Sequence, residues 1–257
     1  MNNAPREVRR LAAQARRWTT DWFFGYRWKM VPRGYTAMSH AATFPMRISI
    51  EQPILPTDYV QAKVHNIRLA TECLNNLEVP PGRIFSFWHL VGRPTRARGF
   101  LPGRSLLGGR IRPDYGGGLC QLSGLIYHVS LIAGLEILER HPHSRDIYNE
   151  QDRYAPLGAD ATVAYGFKDL RVLNPYGFPV CFRASVSEET ATCSVCAPER
   201  IMKYQVEFAR VSERDRLRIV ETRRCVPGQA GHEIMAVSAY RSPARQQGGE
   251  LVRENRL

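Results

Sequence analysis

Apolar positions change their period several times along the 257 residues, and each change marks an element. "PMRISIEQPIL" is a short strand-like run closed by prolines. In "YVQAKVHNIRLATECLNNL", Val60, Val64, Ile67, Leu69 and Leu74 fall close to helical spacing. Pro80, Pro81 and Gly82 read as a turn before a strand through Ile84, Phe85 and Phe87. The stretch "RPTRARGFLPGRSLLGGRIRPDYGGG", Arg93 to Gly118, has no such period, and its glycines, prolines and arginines predict a long functional flap or else a disordered loop. Helical spacing returns from Leu119 to Gly134. Leu122, Leu125, Ile126, Val129 and Ile132 form one face, and Gly134 is placed to end the helix. "LEILER", "DATVAYG", "LRVLN" and "FPVCFRASV" then read as strands, followed by a meander of "KYQVEFARV", "RLRIVETRRC" and "EIMAVSAY".

These elements predict an α+β fold: a mostly antiparallel sheet packed on a central helix that starts at Cys120. A basic, aromatic N-terminal segment (1–40) precedes one α+β domain (41–257), whose C-terminal meander covers 180–245.

Composition adds one strong constraint. Apolar and charged contents of 44% and 23% are ordinary, but a net charge of +12 favours anionic partners. Much of the excess lies at the start of the chain. Arg6, Arg9, Arg10, Arg16, Arg17, Arg27, Lys29 and Arg33 alternate there with Leu11, Trp18, Trp22, Phe23, Phe24, Tyr26 and Trp28. No apolar run reaches signal-peptide length or the roughly 18 residues of a membrane span. The segment therefore reads as a helix on an anionic membrane surface, arginines toward the headgroups. The alternative is a helix whose aromatics pack on the main domain while its arginines are solvated. Nucleic acid is not expected, since no recognition motif accompanies the charge.

The expected location is cytoplasmic, peripheral at the inner face of the membrane. Six cysteines in a reducing compartment imply free thiols. Cys193 and Cys196 have the spacing of half a zinc site, which Cys181 or Cys225 could complete, but thiols on strands are the simpler reading. No metal and no cofactor is assigned.

The chemistry concentrates in "GGGLCQLSGLIYHVSLIAGLEILERHPHS", Gly116 to Ser144. Cys120 stands where glycines hand over to a helix, and a helix N-terminus stabilises a thiolate. Gly116, Gly117 and Gly118 allow close approach of backbone to a substrate, and their N–H groups could receive an oxyanion, with Gln121 as a further donor. His141 or His143 could serve as base and Asp160 could orient it, an order like that of papain-like and transglutaminase-like enzymes. Set against this, a lone cysteine is often a small buried residue, His128 reads as a core or surface histidine, and Asp160 could belong to a turn.

Three stretches carry a resemblance: "VHNIRLA…VPPGRIFSFWHLVGRPTRARGFLPG", the Gly116–Ser144 segment and "PLGADATVAYGFKDLRVLN". Together they resemble the VanW-like family, named for an accessory protein of some vancomycin-resistance gene clusters. The likeness runs from His65 to Pro179, and its most specific parts are the Gly-Gly-Gly-x-Cys-Gln and Glu-Arg-x-x-His-Ser blocks. The resemblance favours His143 over His141. It implies a pocket whose catalytic set would be Cys120, His143, Asp160 and Gln121. Gly116, Gly117, Gly118, Ser123, Tyr127, Arg96, Arg98, Arg140 and Ser144 would contact the substrate.

Two functions follow as expectations. One is thiol-dependent acyl transfer, as hydrolase or transferase, on a small anionic or peptidyl substrate resembling a cell-wall precursor, clamped by the flap arginines. The other is a non-catalytic binding or accessory module for an anionic peptide or glycan.

Overall fold

In a computed structural model of the chain, residues 5–34, 44–107, 110–146 and 153–242 are described. Helix α1 (Arg6–Phe23) and the single turn α2 (Tyr26–Lys29) meet at Gly25, whose φ of 69° makes the corner. Then come β1 (Met46–Pro53), α3 (Val60–Leu74), β2 (Leu77–Val79), β3 (Ile84–Ser86) and the short α4 (Phe87–Val91). A 3-10 turn at Arg96–Arg98 leads into β4 (Pro102–Leu107) and β5 (Arg110–Tyr115), and α5 (Leu119–Ile132) follows. The remaining strands are β6 (Glu136–Glu139), β7 (Arg171–Leu173), β8 (Val180–Val186), β9 (Thr190–Ala197), β10 (Gln205–Arg214), β11 (Leu217–Cys225) and β12 (Glu233–Arg241).

The strands form four antiparallel sheets ordered β1-β9-β8-β2, β10-β11-β12, β3-β7-β6 and β4-β5. The class is α+β, as the periodicity predicts. The single sheet on a single helix is corrected: α5 packs on β1 and β9 while α3 lies beside it over β8. Both helices are needed because one helix covers only part of a four-stranded face.

Helix α5 is apolar almost all round, and a helix of that pattern has to be buried on every side. Leu122, Leu125, Ile126, Tyr127, Val129 and Leu131 are all fully buried. Gly134, at φ 72°, ends the run and lets the chain turn into β6.

Three local expectations change. Phe87 opens a helix instead of extending a strand, because the Ser86 hydroxyl caps α4 by accepting from the His89 N–H at 3.2 Å. The flap folds in large part into the β4–β5 hairpin. "DATVAYG" is no strand: its backbone pairing includes the Thr162 N–H to the His141 carbonyl at 2.7 Å and a bridge between Ala164 and Lys168, with no ladder between them.

Cys193 and Cys196 lie three residues apart on β9, so alternation sends them to opposite faces. Cys193 joins the main core, while Cys196 packs with Phe44 and Cys181 in a separate cluster. Cys225 is on another sheet, and no cluster fit for a metal occurs among the described residues. The six cysteines are free thiols.

Candidate functional site

A cleft of about 470 Å³ opens at the start of α5. Cys120 and Gln121 from the first turn of α5, His143 after β6, and Asp160 and Thr162 from the following loop line it. Lys63 of α3, Arg93, Arg96 and Arg104 add cations, while Glu7 and Arg10 of α1 reach its edge.

The glycines before Cys120 serve packing first. A Cβ on Gly117 would run into the Gly103 backbone of β4, one on Gly118 would meet the Lys63 stem, and one on Gly116 would meet Pro94. Gly116 and Gly118 also hold φ of 80° and 98°, which glycine adopts without strain. The N–H groups of Gly116 and Gly117 already donate to the Leu101 and Asp114 carbonyls at 3.3 and 3.2 Å. The expected oxyanion cradle is therefore corrected at these two positions: their donors are spent inside the fold. Asn66, not singled out in the sequence, pins the same corner by donating to the Leu101 and Gly117 carbonyls at 2.9 and 3.0 Å.

Cys120 points its Sγ at the Val163 carbonyl, 3.7 Å away. Burial pushes the thiol above its ordinary range. A hydrogen bond with the Val163 backbone is set against that rise, and the negative charge of Asp160 adds to it. A helix N-terminus does not outweigh this desolvation, so the sulfur rests as a thiol.

His143 meets Thr162 Oγ1 through Nδ1 at 3.0 Å, and burial holds its pKa below the ordinary value. Asp160 does not orient the ring. Its Oδ2 accepts from the His143 backbone N–H at 2.6 Å, and its Oδ1 accepts from Arg140 at 3.1 Å and from the Tyr240 hydroxyl. The expected Asp160–imidazole pair is thus absent from the hydrogen bonds: the carboxylate's partners are the His143 N–H, Arg140 and Tyr240. Thr162 is the ring's partner.

Arg140 lies inside the fold. Its guanidinium also donates to the Asp160 and Gly158 carbonyls at 2.7 and 2.9 Å and stacks 5.0 Å over the Tyr127 ring. Ser123 donates to the Ala161 carbonyl at 2.6 Å with no exposure. Gly117, Ser123, Tyr127, Arg98, Arg140 and Ser144 are all absent from the cleft wall. Arg98 faces away, donating to the Arg93 carbonyl and stacking over Phe100. Of the expected contacts, Gly116, Gly118 and Arg96 do line the cleft. The side chains of Arg110 and Arg112 lie outside those described.

Gln121 reverses its expected role. Its amide nitrogen donates to the Pro53 carbonyl at 3.0 Å, which leaves the buried Oε1 without a partner. A second cleft residue, Gln52, likewise holds a buried Oε1 with no partner. Each amide thus keeps one acceptor without a partner in the wall of the cleft.

Lys63 is the signal the sequence did not give. It is half-buried with its ammonium 5.5 Å from the Tyr154 ring centroid. Burial, with the like charge of Arg104, brings its pKa down to about 8. Its place in an ordinary amphipathic helix carried no hint of this; only the fold brings it beside Gly118.

A mixed α/β scaffold that folds its motif residues around a basic cleft fits the class to which sequence comparison assigns the chain. The profile described as "VanW like protein" matches residues 62–196, more than half its length. The chain belongs to the VanW-like family. It is 36% identical over 124 residues to the uncharacterized protein YoaR of Bacillus subtilis, covering 48% of this chain and 39% of that protein. It is also 36% identical over 116 residues to the vancomycin B-type resistance protein VanW of Enterococcus faecalis, covering 45% of this chain and 42% of that protein. The match thus spans about two fifths of either relative. No solved structure matches.

Proposed function

We propose that the cleft is a binding site for a small anionic, amide-bearing ligand of the peptidyl or cell-wall-precursor kind, and that the protein acts as an accessory module. The observation that carries this reading is the pairing of unspent acceptors with unspent cations. Gln52 and Gln121 offer carbonyl oxygens suited to amide N–H groups, and Lys63 and Arg104 line the same cleft with no ion pair to a carboxylate among the described residues. A peptide with a free carboxylate satisfies both sets at once. The name of the Enterococcus faecalis relative, a resistance protein, supports a cell-wall precursor as the ligand class. On this reading Cys120 is a small wall residue.

One observation favours a second reading, thiol-dependent acyl transfer: Cys120 and His143 line the same cleft. There Cys120 Sγ would bond to the acyl carbon as His143 takes its proton. The proton would pass to the leaving group, and water or an amine would then release the acyl chain.

Calorimetry with a peptidoglycan-precursor pentapeptide separates the two. The binding reading expects Cys120→Ala to hold the ligand within about threefold of the unaltered protein, and Lys63→Met to weaken it roughly tenfold. Release of a cleaved or transferred product by the unaltered protein alone would overturn the binding reading in favour of the second.

A further inference from the structure

The N-terminal helix is mounted with its polar face inward. Its inner positions Arg10, Ala13, Gln14, Arg17 and Asp21 follow helical spacing, and all are half-buried. Ion pairs fasten it, two of them with two contacts each. Arg17 grips Glu139 with contacts of 2.8 and 2.6 Å, and Arg171 grips Asp21 with contacts of 2.5 and 2.7 Å. Gly166 lets α1 approach closely, since a Cβ there would meet the Arg10 stem at 2.7 Å.

The apolar residues have gone the other way. Leu11, Trp18 and Trp22 form a stripe along the outside of α1, and Phe23, Phe24 and Trp28 continue it around the Gly25 corner. Trp22 is 60% exposed, Trp28 67% and Phe23 79%. So much aromatic surface on one convex face is unusual for surface left in water. Exposed Arg9, Arg16, Arg27 and Lys29 flank it, and the Arg27 guanidinium lies 5.7 Å from the Trp18 ring centroid.

We propose that this outer face of α1 and α2 docks on an anionic lipid bilayer, its tryptophans entering the headgroup boundary and its flanking cations pairing with lipid phosphates. The chemistry selects the occupant. Tryptophan and phenylalanine on one side with arginine and lysine beside them match the layered polarity of an anionic interface. A second copy of the chain fits poorly, because its own +12 charge and arginine-flanked face would repel an identical face. The sequence expectation changes in one respect: Arg17, and Arg10 with it, serve the protein side of the helix, and aromatics lead the approach to lipid. Because Glu7 and Arg10 of α1 also line the cleft, docking sets the cleft beside the bilayer surface, within reach of a ligand carried by a lipid.

Flotation with sealed vesicles tests this, comparing phosphatidylglycerol mixed into phosphatidylcholine with phosphatidylcholine alone. The full chain is expected to float with the anionic vesicles, to be released by high salt, and to show a blue shift of tryptophan emission. Trp88, the fourth tryptophan, is buried and reports little of that shift. Replacing Trp18, Trp22 and Trp28 with alanine should lower the bound fraction tenfold or more, with circular dichroism and unfolding midpoint unchanged. Val237→Ser, at an exposed apolar site on β12, should leave flotation unaltered. Failure of the full chain to float with anionic vesicles overturns the proposal. So does equal flotation of the triple variant, or a dimer in solution that the triple substitution dissolves.

Discussion

Helices α5 and α1 are of similar length and use opposite rules. In α5, Leu122, Leu125, Ile126 and Val129 vanish into a core formed with β1, β9 and α3. In α1 the apolar stripe faces out and the contacts to the body include the ion pairs of Arg17 with Glu139 and Asp21 with Arg171. The first helix is held by area removed from water and the second by directed charge pairs. Substitutions, pH and salt should therefore act on them differently.

The largest effect is expected beside α5, at the buried pair that closes the cleft from behind. Asp160→Ala leaves the Arg140 guanidinium buried without its carboxylate and should cost about 3–5 kcal/mol in urea unfolding. A loss near zero would mean that Arg140 finds water, and that the interior behind the cleft is wet. Next, Leu122→Ala should cost about 2–5 kcal/mol by removing a fully buried side chain from α5.

Helix α1 should respond to acid. Burial alone would raise the Glu139 carboxyl, but hydrogen bonds from His141 and Arg17 and the charge of Arg17 hold it down at about 2. A carboxylate depressed in the folded state adds stability above its unfolded pKa, and that stability is lost as pH falls through the folded value. The anchoring of α1 should thus be intact at neutral pH and fade between about pH 4 and 2. Amide exchange in α1 reports it, and Glu139→Gln should show the faster exchange even at pH 7.

The cleft should respond to base. Lys63 titrates near 8, so affinity for an anionic peptide should fall as pH rises through that value, and Lys63→Met should flatten the profile. The smallest effect belongs to the outer stripe of α1. Trp22→Ala should change stability by no more than about 0.5 kcal/mol, since its ring is largely in water already. A loss like that of Leu122→Ala would erase the contrast between the helices.

Period and turn chemistry made α3, α5, β6–β8 and the C-terminal meander legible in the sequence, because burial on one face leaves a repeat in the residues. The β4–β5 hairpin was hidden: its strands mix glycine, proline and arginine, and pairing between them overrode propensity. At the site, Cys120, His143, Gln121, Asp160, Gly116, Gly118 and Arg96 all line one cleft. The sequence expectation misread what several of them do. Asp160, Arg140 and Ser123 match the family motif, yet their partners are backbone carbonyls, one another and Tyr240, which lies far along the chain. Motif membership marks residues the fold needs as readily as residues a ligand touches. Lys63 and Gln52 left no mark because only tertiary packing brings α3 and β1 to the start of α5.

The resting state of Cys120 is the most direct point of test. Iodoacetamide labelling, followed across pH by mass spectrometry, gives its rate in the folded chain against the same cysteine in urea. Desolvation and the charge of Asp160 predict slower labelling of Cys120 when folded at pH 7, with the rate still rising above the ordinary thiol range of about 8.5. Faster labelling in the folded chain, with a midpoint near neutrality, would contradict the binding cleft and make Cys120 a nucleophile.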